Sequence, residues 1–128
     1  MFAIETEASK KSQGHYVPAI VHQGIAYISG QLPLDYARQE TKPQGTLEEQ
    51  VKKALHNLEM VLELCHSSKE LVLKTTVYIP DIAYWPRVNE LYKEFFGDHK
   101  PARTIVPTSA LHFGALIEIE AIAALKKQ

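Results

Sequence analysis

The stretch Leu116-Ile-Glu-Ile-Glu-Ala-Ile-Ala-Ala-Leu125 decides the architecture. Its apolar residues recur with period two, the spacing of a β-strand whose successive side chains point to opposite faces. One face receives Ile117, Ile119, Ala121 and Ala123, all apolar. The other receives Leu116, Glu118, Glu120, Ile122 and Ala124, so two carboxylates stand about 7 Å apart among aliphatics. The apolar side predicts a layer of helices packed against it.

Those helices are legible upstream. Thr46 and Glu49 have capping-box spacing, and Leu47, Val51, Ala54, Leu55, Leu58, Val61, Leu62 and Cys65 follow as one apolar stripe. Cys65, on that stripe, reads as a core thiol rather than a nucleophile. A second helix is expected after Asp81, with Pro86 near its first turn, Val88, Leu91, Tyr92 and Phe95 buried, and Gly97 as its stop. Strands are expected at Phe2–Glu5 (weak), Val17–His22, Ile25–Gln31, Leu71–Ile79 and Ala102–Val106. Pro18 cannot donate to a ladder, so its strand lies at an edge or starts late. Thr6–Gly14 and Leu32–Gly45 read as loops.

The order β-β-β-α-β-α-β-β makes both helices crossovers. It predicts a single α+β domain over residues 1–128, a mixed six-stranded sheet with two helices on one face. Two helices cover one face only. The other carries large apolar groups and predicts a homo-oligomer that packs it inward, against the alternative of singly tolerated, solvated aliphatics.

Composition narrows the function. Fourteen Lys and Arg against fifteen Asp and Glu give a formal charge of -1, which excludes binding nucleic acid or anionic lipid by bulk charge. A single cysteine leaves no disulfide and no thiolate-rich metal site. Acidic residues at the start, Met1-Phe-Ala-Ile-Glu-Thr-Glu7, do not resemble a secretory signal, and no apolar run has the length of a membrane span, so a cytoplasmic protein is expected. No nucleotide loop, nucleophile elbow or zinc helix motif occurs, and the six histidines lack metal-ligand spacing, so no metal and no cofactor is expected. His56, His66 and His99 read as solvated residues at helix surfaces or ends.

The informative residue is Arg103, set in the apolar strand pattern Pro101-Ala-Arg-Thr-Ile-Val106. An arginine there needs a partner. Either Glu118 or Glu120 pairs with it as a structural ion pair, or its planar guanidinium is held ready to grip a carboxylate with a nearby acid steering a water.

Taken together, Gly14-His-Tyr16, Ile28-Ser-Gly-Gln-Leu-Pro-Leu34, Lys74-Thr-Thr-Val-Tyr-Ile79, Val88-Asn89, Phe95-Phe96, Pro101-Ala-Arg103 and Gly114-Ala-Leu-Ile-Glu-Ile-Glu-Ala-Ile-Ala123 resemble the reactive intermediate deaminase (Rid, or YjgF-type) family over nearly the whole chain. The resemblance implies a chorismate-mutase-like fold, a trimeric barrel with sites between subunits, and cofactor-free hydrolysis of 2-imino acids such as 2-iminobutanoate and 2-iminopropanoate to 2-oxo acids and ammonia. Carried over by position, it makes Arg103 the grip on the substrate carboxylate and Glu118 the partner of the attacking water. Tyr16, Ser29, Gly30, Asn89 and Ile105 fall at pocket positions. Ile105 stands where the family commonly has Cys, and His15, Val17-Pro18 and Leu111-His112-Phe113 also depart from its pattern, which bears on substrate preference.

Two other readings compete. One is a trimer that binds or senses small carboxylates such as 2-oxo acids without turnover; Glu118 weighs against it, because a pure binder gains nothing from an acid beside an anion. The other is RNA cleavage, for which the scattered pairs Lys10-Lys11, Lys52-Lys53 and Lys126-Lys127 offer no basic track.

Overall fold

The computed structural model describes residues 1–127. Six strands, β1 (Phe2–Ile4), β2 (Ala19–His22), β3 (Ile25–Gln31), β4 (Val72–Ile79), β5 (Ala102–Pro107) and β6 (Glu118–Ala124), form one mixed sheet in the order β1-β2-β3-β6-β4-β5. All neighbours are antiparallel except β4 and β5. The last strand in sequence therefore sits inside the sheet, between β3 and β4. The helix α2 (Leu47–Leu64) connects β3 to β4, and α3 (Trp85–Phe96) connects β4 to β5. The expected α+β architecture, six strands with two crossover helices on one face, is the one observed.

The helix α2 begins at the box read from its sequence. Thr46 Oγ1 accepts from the Glu49 N–H at 3.2 Å, and the Glu49 carboxylate accepts from the Thr46 N–H at 3.1 Å. These bonds hold the Glu49 carboxyl below its ordinary pKa. At the other end His66 adopts a left-handed φ of 59°. Its N–H bonds to Glu63 O at 3.0 Å and that of Ser67 to Leu62 O at 2.9 Å, a Schellman closure. Ser67 Oγ then donates to Ala124 O at 2.6 Å, tying the end of α2 to β6.

Between helices and sheet lies the main core. Val51, Ala54, Leu55, Leu58 and Leu62 of α2 and Val88, Leu91, Tyr92 and Phe96 of α3 meet Ala26, Ile28, Val77, Ile79, Ile119, Ala121 and Ala123. Ile117, just before β6, joins them, so the apolar side of the final strand is buried as its alternation requires. Cys65 is buried in the same core, and burial raises its thiol pKa. A thiol so placed serves packing. Truncating Leu58 or Leu62 to Ala here costs roughly 2–5 kcal/mol.

Several local expectations change. Thr6–Gly14 is not wholly loop: Thr6 and Ser9 cap a helix, α1 (Glu7–Lys11), that buries no residue and so leaves no periodicity to read. The Leu32–Gly45 connection contains a 3-10 turn at Tyr36–Arg38, and Leu32, Leu34 and Ala115 form a small second core with Tyr36 and Leu111 against it. Pro18 delays the start of β2 to Ala19, but β2 is paired on both sides and β1 takes the edge. Phe96, not Phe95, fills the last buried position of α3. Asp81 caps a 3-10 turn at Ile82–Tyr84, which leads into α3 with Pro86 in its first turn. His99 is not simply solvated, since its Nε2 lies 2.7 Å from Val72 O.

The face of the sheet away from the helices stays open within the chain. Tyr27 is 47% exposed, and Ile122, Ala124, Thr76 and Tyr78 are half-buried beside it. On this face the Tyr78 hydroxyl donates to Glu120 at 2.6 Å, a bond that raises the Tyr78 pKa.

Candidate functional site

Arg103 pairs beside Thr75 in the parallel β4–β5 register, and in-register parallel neighbours share a face. Thr75 is buried and bonds the Tyr92 hydroxyl at 2.8 Å, so Arg103 is turned toward α3. There Trp85, Asn89 and Tyr92 stand at i, i+4 and i+7 on one helix face. Arg103 Nη1 donates to Asn89 Oδ1 at 2.9 Å. The guanidinium carbon lies 4.8 Å from the Tyr92 ring centre and 5.7 Å from that of Trp85. Ile105, two residues on, shares this face and packs on the core. Among the described residues no carboxylate is within ion-pair distance of Arg103. Aromatic faces and one amide oxygen offset part of the cost of half-burying the charge. The remaining donors are free for a planar anion.

Pairing with Glu118 or Glu120, one of the two roles open for Arg103 in the sequence, does not occur. In the β4–β6 register Glu118 sits opposite Tyr78 and Glu120 opposite Thr76, on the sheet face away from α3. Arg103 and Glu118 are thus two strands and three residues apart, about 14 Å between backbones, and point to opposite sides.

Glu118 has a different set of neighbours. The β3–β6 register shifts by one between Ile28 and Gln31, a bulge at Ser29-Gly30. Gly30 lies under the Glu118 carboxylate: a Cβ there would collide with Oε2 and come within 3.0 Å of Cδ. Glycine at this position leaves the carboxylate its space. The Ser29 hydroxyl donates to Val17 O at 2.7 Å, and the Ser29 N–H bonds Pro18 O at 2.9 Å. Ser29 therefore holds the segment that carries Tyr16. That tyrosine is 54% exposed and folds its ring back over Gly14, where a side chain would collide with it. Burial raises the Glu118 pKa most, the Glu120 charge adds to this, and His112 opposes it. No protein donor bonds the Glu118 carboxylate among the described residues, so its oxygens are available to a water.

Seven residues singled out in the sequence thus fall into two groups. Tyr16, Ser29, Gly30 and Glu118 gather on one side; Asn89, Arg103 and Ile105 gather on the other. Two shallow cavities, of about 430 Å³ beside Gly14, His15 and Tyr16 and about 250 Å³ between α2 and α3, do not include Arg103. Sequence reasoning missed Trp85, although the chain's single tryptophan stands four residues before Asn89 on the same helical face. It also missed Tyr36, which only the return of its loop brings near Glu118.

A mixed sheet of this order, with two crossover helices, an arginine that no described acid pairs and a glutamate that no described donor bonds, defines a small α+β protein with two separate polar sites. The chain belongs to the Endoribonuclease L-PSP (YjgF/Rid) family, whose model matches residues 6–125. It is similar to a RutC family protein of Pyrococcus horikoshii, 40% identical over 94% of each chain. It is also 38% identical to the 2-iminobutanoate/2-iminopropanoate deaminase of Rattus norvegicus, over 94% of this chain and 87% of the relative. Among solved structures, that of TdcF from E. coli with bound serine is similar at a TM-score of 0.88 and 29% identity, covering 98% of this chain and all of that one.

Proposed function

We propose that this protein hydrolyses 2-imino acids of the 2-iminobutanoate and 2-iminopropanoate type to 2-oxo acids and ammonia, at sites formed between copies in a homotrimer. One observation carries the reading: Arg103 is half-buried with an amide and two aromatic rings around it and, among the described residues, no acid to neutralise it. Such a cation is prepared for an anion supplied from outside. A carboxylate held there in bidentate fashion fixes the adjoining imine carbon.

The second requirement is a water, and Glu118 meets it. A protonated imine is already electrophilic, so attack needs an oriented water whose proton Glu118 accepts in the step. Glu118 then passes that proton to the carbinolamine nitrogen, and as the C–N bond breaks to release ammonia the carbinol O–H proton returns to the carboxylate, leaving the 2-oxo acid. Arg103 and Glu118 cannot serve one substrate within one chain, because they face opposite sides of the sheet. A neighbouring copy that covers the open face supplies the missing half, which is why the two functions reside in one multimer. Relatives support the class: one is named for this deaminase activity, and TdcF holds the small amino acid serine. Ile105 makes the Arg103 side more apolar and favours substrates with a short aliphatic chain.

The test traps imines with semicarbazide as they are generated. Wild type should lower semicarbazone formation, whereas Arg103→Ala and Glu118→Gln should not. Mixed in equal amounts after unfolding and refolding together, the two inactive variants should regain about a quarter of the wild-type sites, since each interface needs one intact Arg103 and one intact Glu118. Equal trapping with and without wild type points to the non-catalytic carboxylate binder. Absence of rescue on mixing refutes the shared site.

A further inference from the structure

Tyr36 belongs to neither the main core nor the seven residues above, yet its hydroxyl is held in place. The oxygen accepts the Leu32 N–H at 2.8 Å. Leu32 is itself fixed, because the buried Asn57 side chain donates to Leu32 O at 2.9 Å and to Leu34 O at 2.8 Å. The ring packs against the small core of Leu32, Leu34 and Ala115. With an acceptor site taken by Leu32, the hydroxyl proton must point elsewhere, and no acceptor for it is present among the described residues.

What lies in that direction follows from the strand. Leu32 is two residues beyond Gly30 and one past the end of β3, about 7 Å along the chain. The Glu118 carboxylate rests on Gly30. Tyr36 and Glu118 therefore address the same end of β3, and the Glu118 charge is felt at the Tyr36 hydroxyl. Resting on the reading of Glu118 given above, we propose that Tyr36 is a positioning residue for Glu118, its hydroxyl donating across one bridging water to the carboxylate and holding it over Gly30.

Electrostatics agree. Burial raises the Tyr36 pKa to about 12, the Leu32 bond opposes this, and Tyr16 and Glu118 add to it. The phenol is thus a neutral donor throughout the working range. Other groups that face Glu118 are Glu120 on its own strand and His112 in the turn before it, while Tyr16 acts on Tyr36. Tyr78, on the neighbouring strand, is engaged by Glu120.

A donor stabilises the ionised carboxylate, so its loss must raise the Glu118 titration midpoint. In intact protein labelled with 13C-glutamate, Tyr36→Phe should raise that midpoint by about 0.3 pH unit or more. The acid limb of kcat for 2-iminobutanoate should move up with it, with KM within about twofold. Because Tyr36→Phe also leaves the Leu32 N–H unpaired, a second form keeps the fold: 3-fluorotyrosine at position 36, a stronger donor of nearly equal size, should lower the midpoint. An unmoved midpoint in both forms overturns the proposal. If wild type shows no imine turnover, the deaminase reading fails, while the carboxylate titration still decides the role of Tyr36.

Discussion

Replacing Gly30 with alanine separates the space a carboxylate needs from the space the fold needs. The new Cβ would collide with Glu118 Oε2 and stand 3.0 Å from Cδ and 3.2 Å from Cγ. Ordinary carbon contacts begin near 3.5 Å, so the carboxylate must swing away by about 1 Å or more. The backbone has no cause to follow, because the obstruction is the free end of a flexible, half-buried side chain. Folding should therefore lose less than about 1 kcal/mol, a shift of about 4 °C at most in a domain this size. Catalysis should lose far more, since misplacing a reacting group by about 1 Å costs on the order of 100-fold. The assay pairs a thermal melt with single-turnover decay of 2-iminobutanoate, and Gly30→Ser should behave alike. A variant that stays folded and hydrolyses imine within threefold of wild type would show that Glu118 does not work from its position over Gly30. A variant that fails to fold would show instead that the bulge, rather than the carboxylate, demands glycine.

Other outcomes follow from the same geometry. The raised Glu118 pKa places the acid limb of activity above the usual carboxylate value near 4.3, with full rate above the limb and loss as pH falls through it. Glu120→Gln removes the neighbouring charge and should shift that limb downward in a pH–rate profile; an unmoved limb would assign it to another group. Asn57→Ala removes two buried donors and strands the Leu32 and Leu34 carbonyls, at a cost of about 2–4 kcal/mol. At equal protein concentration its melting temperature should fall by roughly 10 °C, and a fall under about 3 °C would mean that water replaces the amide. Arg103→Lys keeps the charge but loses the planar fork and the stacking on Tyr92, so KM should rise at least about tenfold; an unchanged KM would reduce Arg103 to a point charge.

Local pattern was enough for the elements and their order. The alternation of Ile117, Ile119, Ala121 and Ala123, the stripe from Leu47 to Cys65 and the Thr46–Glu49 cap each depend on residues within a few positions, and each appears in the fold as read. Arg103 and Glu118 were visible as chemistry for the same reason, because an arginine or acid in an apolar strand is locally anomalous; Asn89, on a helix, was marked only by the family resemblance. The helix α1 was not legible, since five residues that bury nothing carry no period.

Pairing register is what the chain alone could not reveal. Whether Arg103 meets Glu118 depends on which residues of β4 lie beside each, and that match is made across more than 25 residues of intervening chain. Shifting either register by one would turn its side chain to the other face. Tertiary structure put Arg103 with Trp85, Asn89 and Tyr92, put Glu118 over Gly30, and returned Tyr36 to the same strand end. Sequence periodicity specifies which face of an element is apolar. Only the packed sheet specifies which polar groups share a side of it, because that depends on registers and loop returns set by the whole core.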